Sequence, residues 1–79
     1  MKPPKAKPNP NFEKIAKLTP RQREILDAVW TGFQDKQISA LLKISTRTVN
    51  VHVSDLLKRL NVKSRIEAAL IYERAHGRG

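Results

Sequence analysis

The chain has 79 residues, sixteen Lys and Arg against seven Asp and Glu, a formal net charge of +9 and no cysteine. That length allows one small domain close to the lower limit for a single hydrophobic core, and the missing thiols exclude a disulfide framework, a Cys-based zinc site and redox chemistry. The cationic excess implies a polyanionic partner, most simply nucleic acid, while the lack of a long apolar run or hydrophobic leader gives no sign of secretion or membrane insertion and fits a cytoplasmic protein.

Residues 1–17 hold four of the five prolines and five lysines against one glutamate, a local net charge of +4. Such a segment extends readily and buries little surface, so it reads as a flexible basic linker or arm. Phe12 and Ile15 are its two side chains suited to docking on the folded part. Two uses remain open: a tether between domains, or an arm that follows a DNA backbone. Residues 18–76 carry the folded domain and residues 77–79 a short tail.

Four helices are expected in the folded part. Thr19, Pro20 and Gln22 supply a cap, a first-turn proline and a capping-box partner; Ile25, Leu26 and Val29 form the buried stripe, and Gly32 ends the helix. A second, short helix from about Asp35 to Leu42 is expected to bury Ile38, Leu41 and Leu42 and to place Lys36 at its exposed start. After a tight break at Lys43-Ile44-Ser45 comes a longer helix, residues 46–60. A further capping box, Ser64 to Glu67, opens the last helix, which continues to about Ala75. No segment alternates as a strand would, so the expected fold is all-α.

The 46–60 helix carries the strongest signal. At roughly 100° per residue, Val49, Val53, Leu56, Leu57 and Leu60 fall on one stripe that must face the core. Arg47, Val51, Ser54 and Lys58 fall opposite, with Asn50 at the margin. Ser45 is placed to cap the first turn, and the free amides beside Thr46, Arg47 and Thr48 form a natural phosphate cradle. Asn reads adenine edges, Ser adapts to several bases, and an exposed Val packs on a thymine methyl. A short helix followed by this one points to a helix-turn-helix DNA reader. The bland alternative is an ordinary solvated helix face.

Several runs at fixed mutual spacing resemble the LuxR/FixJ/NarL-type DNA-binding domain: residues 18–26 (LTPRQREIL), Gly32, Lys36-Gln37-Ile38, residues 45–52 (STRTVNVH), Leu60 and residues 64–68 (SRIEA). The resemblance spans about residues 18–75. It implies a bacterial, four-helical output domain of a response regulator or related transcription factor, binding double-stranded promoter DNA as a dimer, with helix 46–60 in the major groove. Base-reading positions would be Asn50, Val51 and Ser54. Phosphate-facing positions would be Lys36, Thr46, Arg47, Thr48 and Lys58, with Lys63 as a further candidate. RNA polymerase is a further candidate partner, and the expected location is the cytoplasm, on the nucleoid. The sequence also departs from the family pattern. Gln22 and Gln37 stand where Glu is frequent, Ser39 where Ala is usual, and Asn50 where Lys is common, which bears on the preferred base sequence. Trp30 is larger than the residue usually found there, either a core filler or an unusual contact.

The last helix shows two apolar stripes, Ile66 with Leu70 and Ala68 with Ile71 and Tyr72, and one small helix cannot bury both in a single core. Periodicity leaves open which faces outward, and whether the outer stripe meets a partner or solvent. The resemblance assigns Ile66, Leu70 and Glu73 to a weak homodimer strengthened on DNA.

His52 and His76 are distant from each other and from any paired carboxylates, so neither suggests a metal site, a cofactor or a catalytic triad. Asp55 and Arg59, spaced i to i+4, are expected to pair. No residue set supports an enzyme. Two other readings compete: a sigma-factor-like promoter-reading domain, with a similar opening run but ordinarily without a fourth capped helix, and a helical protein-interaction module for an acidic partner.

Overall fold

Signals at the helix ends govern where each element starts and stops. The structure, a computed structural model, describes residues 10–76. They form α1 (Pro10–Ala16), α2 (Pro20–Thr31), α3 (Asp35–Leu42), α4 (Thr46–Leu60) and α5 (Arg65–His76). No strand occurs among the described residues, so the fold is all-α as expected.

The α2 start is a reciprocal capping box. The Gln22 amide donates to Thr19 Oγ1 and the Thr19 amide to Gln22 Oε1, both at 3.1 Å. At α3 the Gln37 side chain reaches back to the Gln34 amide at 2.7 Å. Ser45 caps α4 by accepting from the Thr48 amide at 3.0 Å. Ser64 does the same for the Glu67 amide at 3.2 Å, while the Glu67 carboxylate takes the Lys63 amide, one residue before the expected partner.

The helix ends share one device. Gly32, Lys43 and Asn61 adopt left-handed backbone, with φ of 103°, 59° and 61°. The next amide then bonds to the carbonyl five residues back: Phe33 to Ala28, Ile44 to Ser39 and Val62 to Leu57, at 3.0, 3.1 and 3.0 Å. This pairing satisfies carbonyls that a helix end leaves unpartnered. In each case the residue after the left-handed one is apolar, and Phe33, Ile44 and Val62 all pack against the core.

That core draws on every helix. Ile15, Leu18, Ile25, Leu26, Ile38, Val49, Val53, Leu56, Leu60, Ala68 and Ile71 are buried together. α2 packs on both α4 and α5, and α3 lies on α4. The predicted core stripe of residues 46–60 is therefore the one that faces inward, with Leu57 half-buried at its edge.

Three expectations need correction. The folded part has five helices, because residues 10–16 of the supposed arm coil into α1 and pack against α5 and α4. Ile15 anchors it: it is only 3% exposed, and burying an isoleucine contributes about 1.5–3 kcal/mol towards holding the segment against the core. Residues 1–9 and the tail at 77–79 lie outside the described residues. Leu41 is exposed rather than buried, since α3 is short and presents one narrow side, led by Ile38, to α4. Arg59 does not pair with Asp55. Its Nη1 donates to the Lys17 carbonyl at 2.9 Å, a group just past the end of α1, where unpaired carbonyls attract a cation.

Candidate nucleic-acid interface

α4 is held from both ends and one side, which fixes the direction of its outer face. At its start Ser45 Oγ accepts from the Thr48 amide and donates to Thr48 Oγ1 at 2.9 Å, so the hydroxyl works twice. The Thr46 and Arg47 amides precede the first intrahelical bonds and project from the helix start. The turn before it is tied down by Ser39, whose hydroxyl donates to the Ile44 carbonyl. The Ser39 hydroxyl thus closes the α3–α4 turn. At the far end Arg59 bonds across to Lys17.

With Val49, Val53, Leu56 and Leu60 buried, the opposite side carries Arg47, Asn50, Val51, Ser54 and Lys58, all exposed. Val51 is 53% exposed, an apolar side chain in the middle of a polar stripe. Asn50, Val51 and Ser54 share one face, as the periodicity of the sequence indicates. Thr46 is exposed and Thr48 half-buried beside the cap. Asp55 is exposed at the edge of the stripe and, without Arg59, forms no ion pair among the described residues.

Two further candidate cations lie on neighbouring elements. Lys36 is exposed on the first turn of α3, and Lys63 is exposed between α4 and α5. Their supports are fixed by an ion pair absent from the sequence reading. Arg65, first residue of α5, grips Asp35, first residue of α3, with Nη1–Oδ1 at 2.7 Å and Nη2–Oδ2 at 3.0 Å. The Nη2–Oδ2 contact is a hydrogen bond and the Nη1–Oδ1 contact a close charge pairing, and together they tie the starts of the two helices to each other. Thirty residues separate the partners, so no local pattern announces it.

On the far side of α5, Ile66 and Leu70 are 73% and 45% exposed, while Ala68 and Ile71 are buried and Tyr72 is half-buried. The outer stripe is thus Ile66, Leu70 and Glu73. Glu73 is engaged: its Oε1 accepts from Trp30 Nε1 at 2.7 Å. Tyr72 stacks at a tilt on Trp30 with ring centroids 5.1 Å apart, and its hydroxyl donates to Asp27 Oδ1 at 2.6 Å. That bond, with some burial and the nearby negative charge, pushes the tyrosine pKa from 10.0 up to about 12. Trp30 is therefore no core filler.

No group of three His, Cys, Asp or Glu side chains among the described residues could hold a metal ion, and no helix there is long and apolar enough to cross a membrane.

Two helices joined by a three-residue turn, the second offering an exposed polar and cationic stripe opposite its core face, define a helix-turn-helix module. The chain belongs to the luxR family of bacterial regulatory proteins, whose model matches residues 16–72; these are DNA-binding transcription regulators. The nitrate/nitrite response regulator NarL of Escherichia coli (strain K12) is 45% identical over 56 residues, covering 71% of this chain and 26% of that protein. The uncharacterized transcriptional regulatory protein YhcZ of Bacillus subtilis (strain 168) is 44% identical over 62 residues, or 78% of this chain and 29% of that one. The transcriptional regulatory protein ComA of the same organism is 40% identical over 68 residues, 85% and 32% respectively. The chain spans between a quarter and a third of the length of these relatives. No solved structure shows a significant match.

Proposed function

We propose that this chain reads promoter DNA by laying α4 in the major groove, with Asn50, Val51 and Ser54 against base edges. Lys36, Thr46, Arg47, Thr48, Lys58 and Lys63 contact the flanking phosphates, and two copies meet through Ile66, Leu70 and Glu73. The whole protein then acts in the bacterial cytoplasm as a transcription regulator of the response-regulator kind, with RNA polymerase as a further partner.

One observation carries the reading. A helix anchored at both ends exposes Arg47, Asn50, Val51, Ser54 and Lys58 together, and none of them is buried in the core formed by the described residues. Cations at the two ends of the stripe suit the phosphate walls of a groove, and the short side chains between them suit close approach to base edges. A single module of this size buries too little surface for firm, selective binding, whereas two copies about a two-fold axis read paired half-sites on one face of the duplex.

Selection from a random duplex pool supplies the preferred site. On it, Asn50→Ala and Val51→Ala each weaken binding by about 1–3 kcal/mol and change affinity for random DNA much less. If both variants keep the wild-type preference, another face of α4 enters the groove.

A further inference from the structure

We propose that Asp55 is a specificity-determining residue, its carboxylate accepting from the exocyclic amino group of a cytosine in the major groove; this rests on the placement of α4 above. Asp55 is the only acidic residue of α4. At about 100° per residue it lies about 40° round the helix from Val51, whereas Ser54 lies about 60° from Val51. Val51, Ser54, Asp55 and Lys58 are therefore the four corners of one patch, and all four are exposed. Where Val51 and Ser54 reach base edges, the carboxylate beside them enters the groove as well.

That carboxylate has no partner in the protein. On its α2 side it borders a shallow cleft with Gln22, Lys58 and Arg59. Gln22 is committed to the α2 capping box, and Arg59 turns away to the Lys17 carbonyl. Neither Lys58 nor Arg59 forms an ion pair with Asp55 among the described residues.

An unpaired anion between walls of phosphate weakens every complex that leaves it without a donor. Base edges differ in what they offer it. Guanine presents O6 and N7 and thymine presents O4, all acceptors that repel a carboxylate. Adenine sets its N7 acceptor beside its N6 amino group, whereas the cytosine edge presents the N4 amino group alone. Cytosine is thus the base that satisfies Asp55. Helical rise sets the register: Asp55 lies about 6 Å along the axis from Val51, less than two base-pair steps of about 3.4 Å. The selected cytosine therefore lies within about two base pairs of the base that Val51 touches. On a chain of net charge +9, one acid at this place also weakens attachment to DNA that lacks the cytosine.

Selection from a random duplex pool, run side by side for the wild type, Asp55→Ala, Asp55→Asn and Val51→Ala, tests the assignment. Asp55 is exposed and unpaired, so its variants keep the helical circular dichroism of the wild type. The wild type selects cytosine at one position of each half-site and binds the other bases there roughly tenfold more weakly. Asp55→Ala loses the preference at that position alone and binds random duplex more tightly than the wild type. Asp55→Asn moves the preferred base at the same position from cytosine to adenine, because an amide pairs with adenine N6 and N7. Selected sites without a constrained cytosine overturn the inference, as do Asp55 variants that keep the wild-type profile at every position. Val51→Ala separates this result from the reading beneath it. If Val51→Ala alters the profile while the Asp55 variants do not, α4 stays in the groove and Asp55 reads nothing. If none of the three variants alters any position, the placement of α4 falls as well.

Discussion

At the residue scale, two positions show opposite relations between side chain and backbone. Gly32 sits at φ 103°, and a Cβ built there meets nothing within 4 Å, so only conformation restricts the site. Gly32→Ala is expected to destabilise the fold by about 1 kcal/mol or more, the cost of left-handed backbone for an L residue. Lys43 already bears that cost at φ 59°. Lys43→Gly relieves it but frees the unfolded chain, for a net gain of about 0.5 kcal/mol. Urea midpoints therefore move in opposite directions for the two variants; parallel shifts would contradict the assignment of strain. Tyr72 offers a third test. Its bond to Asp27 favours the neutral phenol, so the contribution to stability is complete below pH 10.0 and is lost as pH rises through about 12. As the sole tyrosine, it can be titrated by ultraviolet absorbance. Asp27→Asn is expected to bring the midpoint down towards 10.0, whereas a wild-type midpoint already there would mean that the bond does not form in solution.

At the scale of elements, α1 carries the main prediction. Ile15 lies in the core between α1 and its neighbours, so Ile15→Ala is expected to cost about 2–4 kcal/mol in chemical unfolding. A cost near zero would return residues 10–16 to the status of an arm. The sequence concealed this helix because the prolines and lysines of residues 1–17 as a whole mask it, and seven residues are too few to display a period. Other elements were legible. Thr19 with Gln22, and Ser45, announce helix starts through residue types that bond the first free amides. The α4 stripes separate by spacing alone, because fifteen residues make four turns. Gly32 marks a helix end by composition, but Lys43 does so only through its place before Ile44, since lysine has no preference for left-handed backbone. Leu41 shared the apparent stripe of Ile38 and Leu42, yet burial depends on how much of α3 its neighbour covers. The Arg59–Lys17 and Arg65–Asp35 ties join residues 42 and 30 positions apart, beyond any local rule. Thus the outward face of α4 was readable, and the braces that hold it were not.

For the molecule as a whole, charge and shape divide the labour. The α4 side gathers Lys36, Arg47, Lys58 and Lys63, while the α2–α5 side carries Asp27, Glu73 and the exposed Trp30, Ile66 and Leu70. The first surface suits a polyanion, and in the function proposed above the second meets another copy of the chain. Free copies repel and their apolar contact is small, so pairing should be weak until DNA holds them together. The central claim is that the cationic rim of α4 lies on phosphates. It is tested most directly by measuring affinity for the selected duplex across a range of salt concentrations, with the wild type and Lys58→Ala side by side. If Lys36, Arg47, Lys58 and Lys63 each neutralise a phosphate, log affinity falls linearly with log salt at a slope of roughly −0.9 per contact, and Lys58→Ala makes the slope shallower by about one. A slope near zero, or one that Lys58→Ala leaves unchanged, would contradict the placement of α4 on DNA.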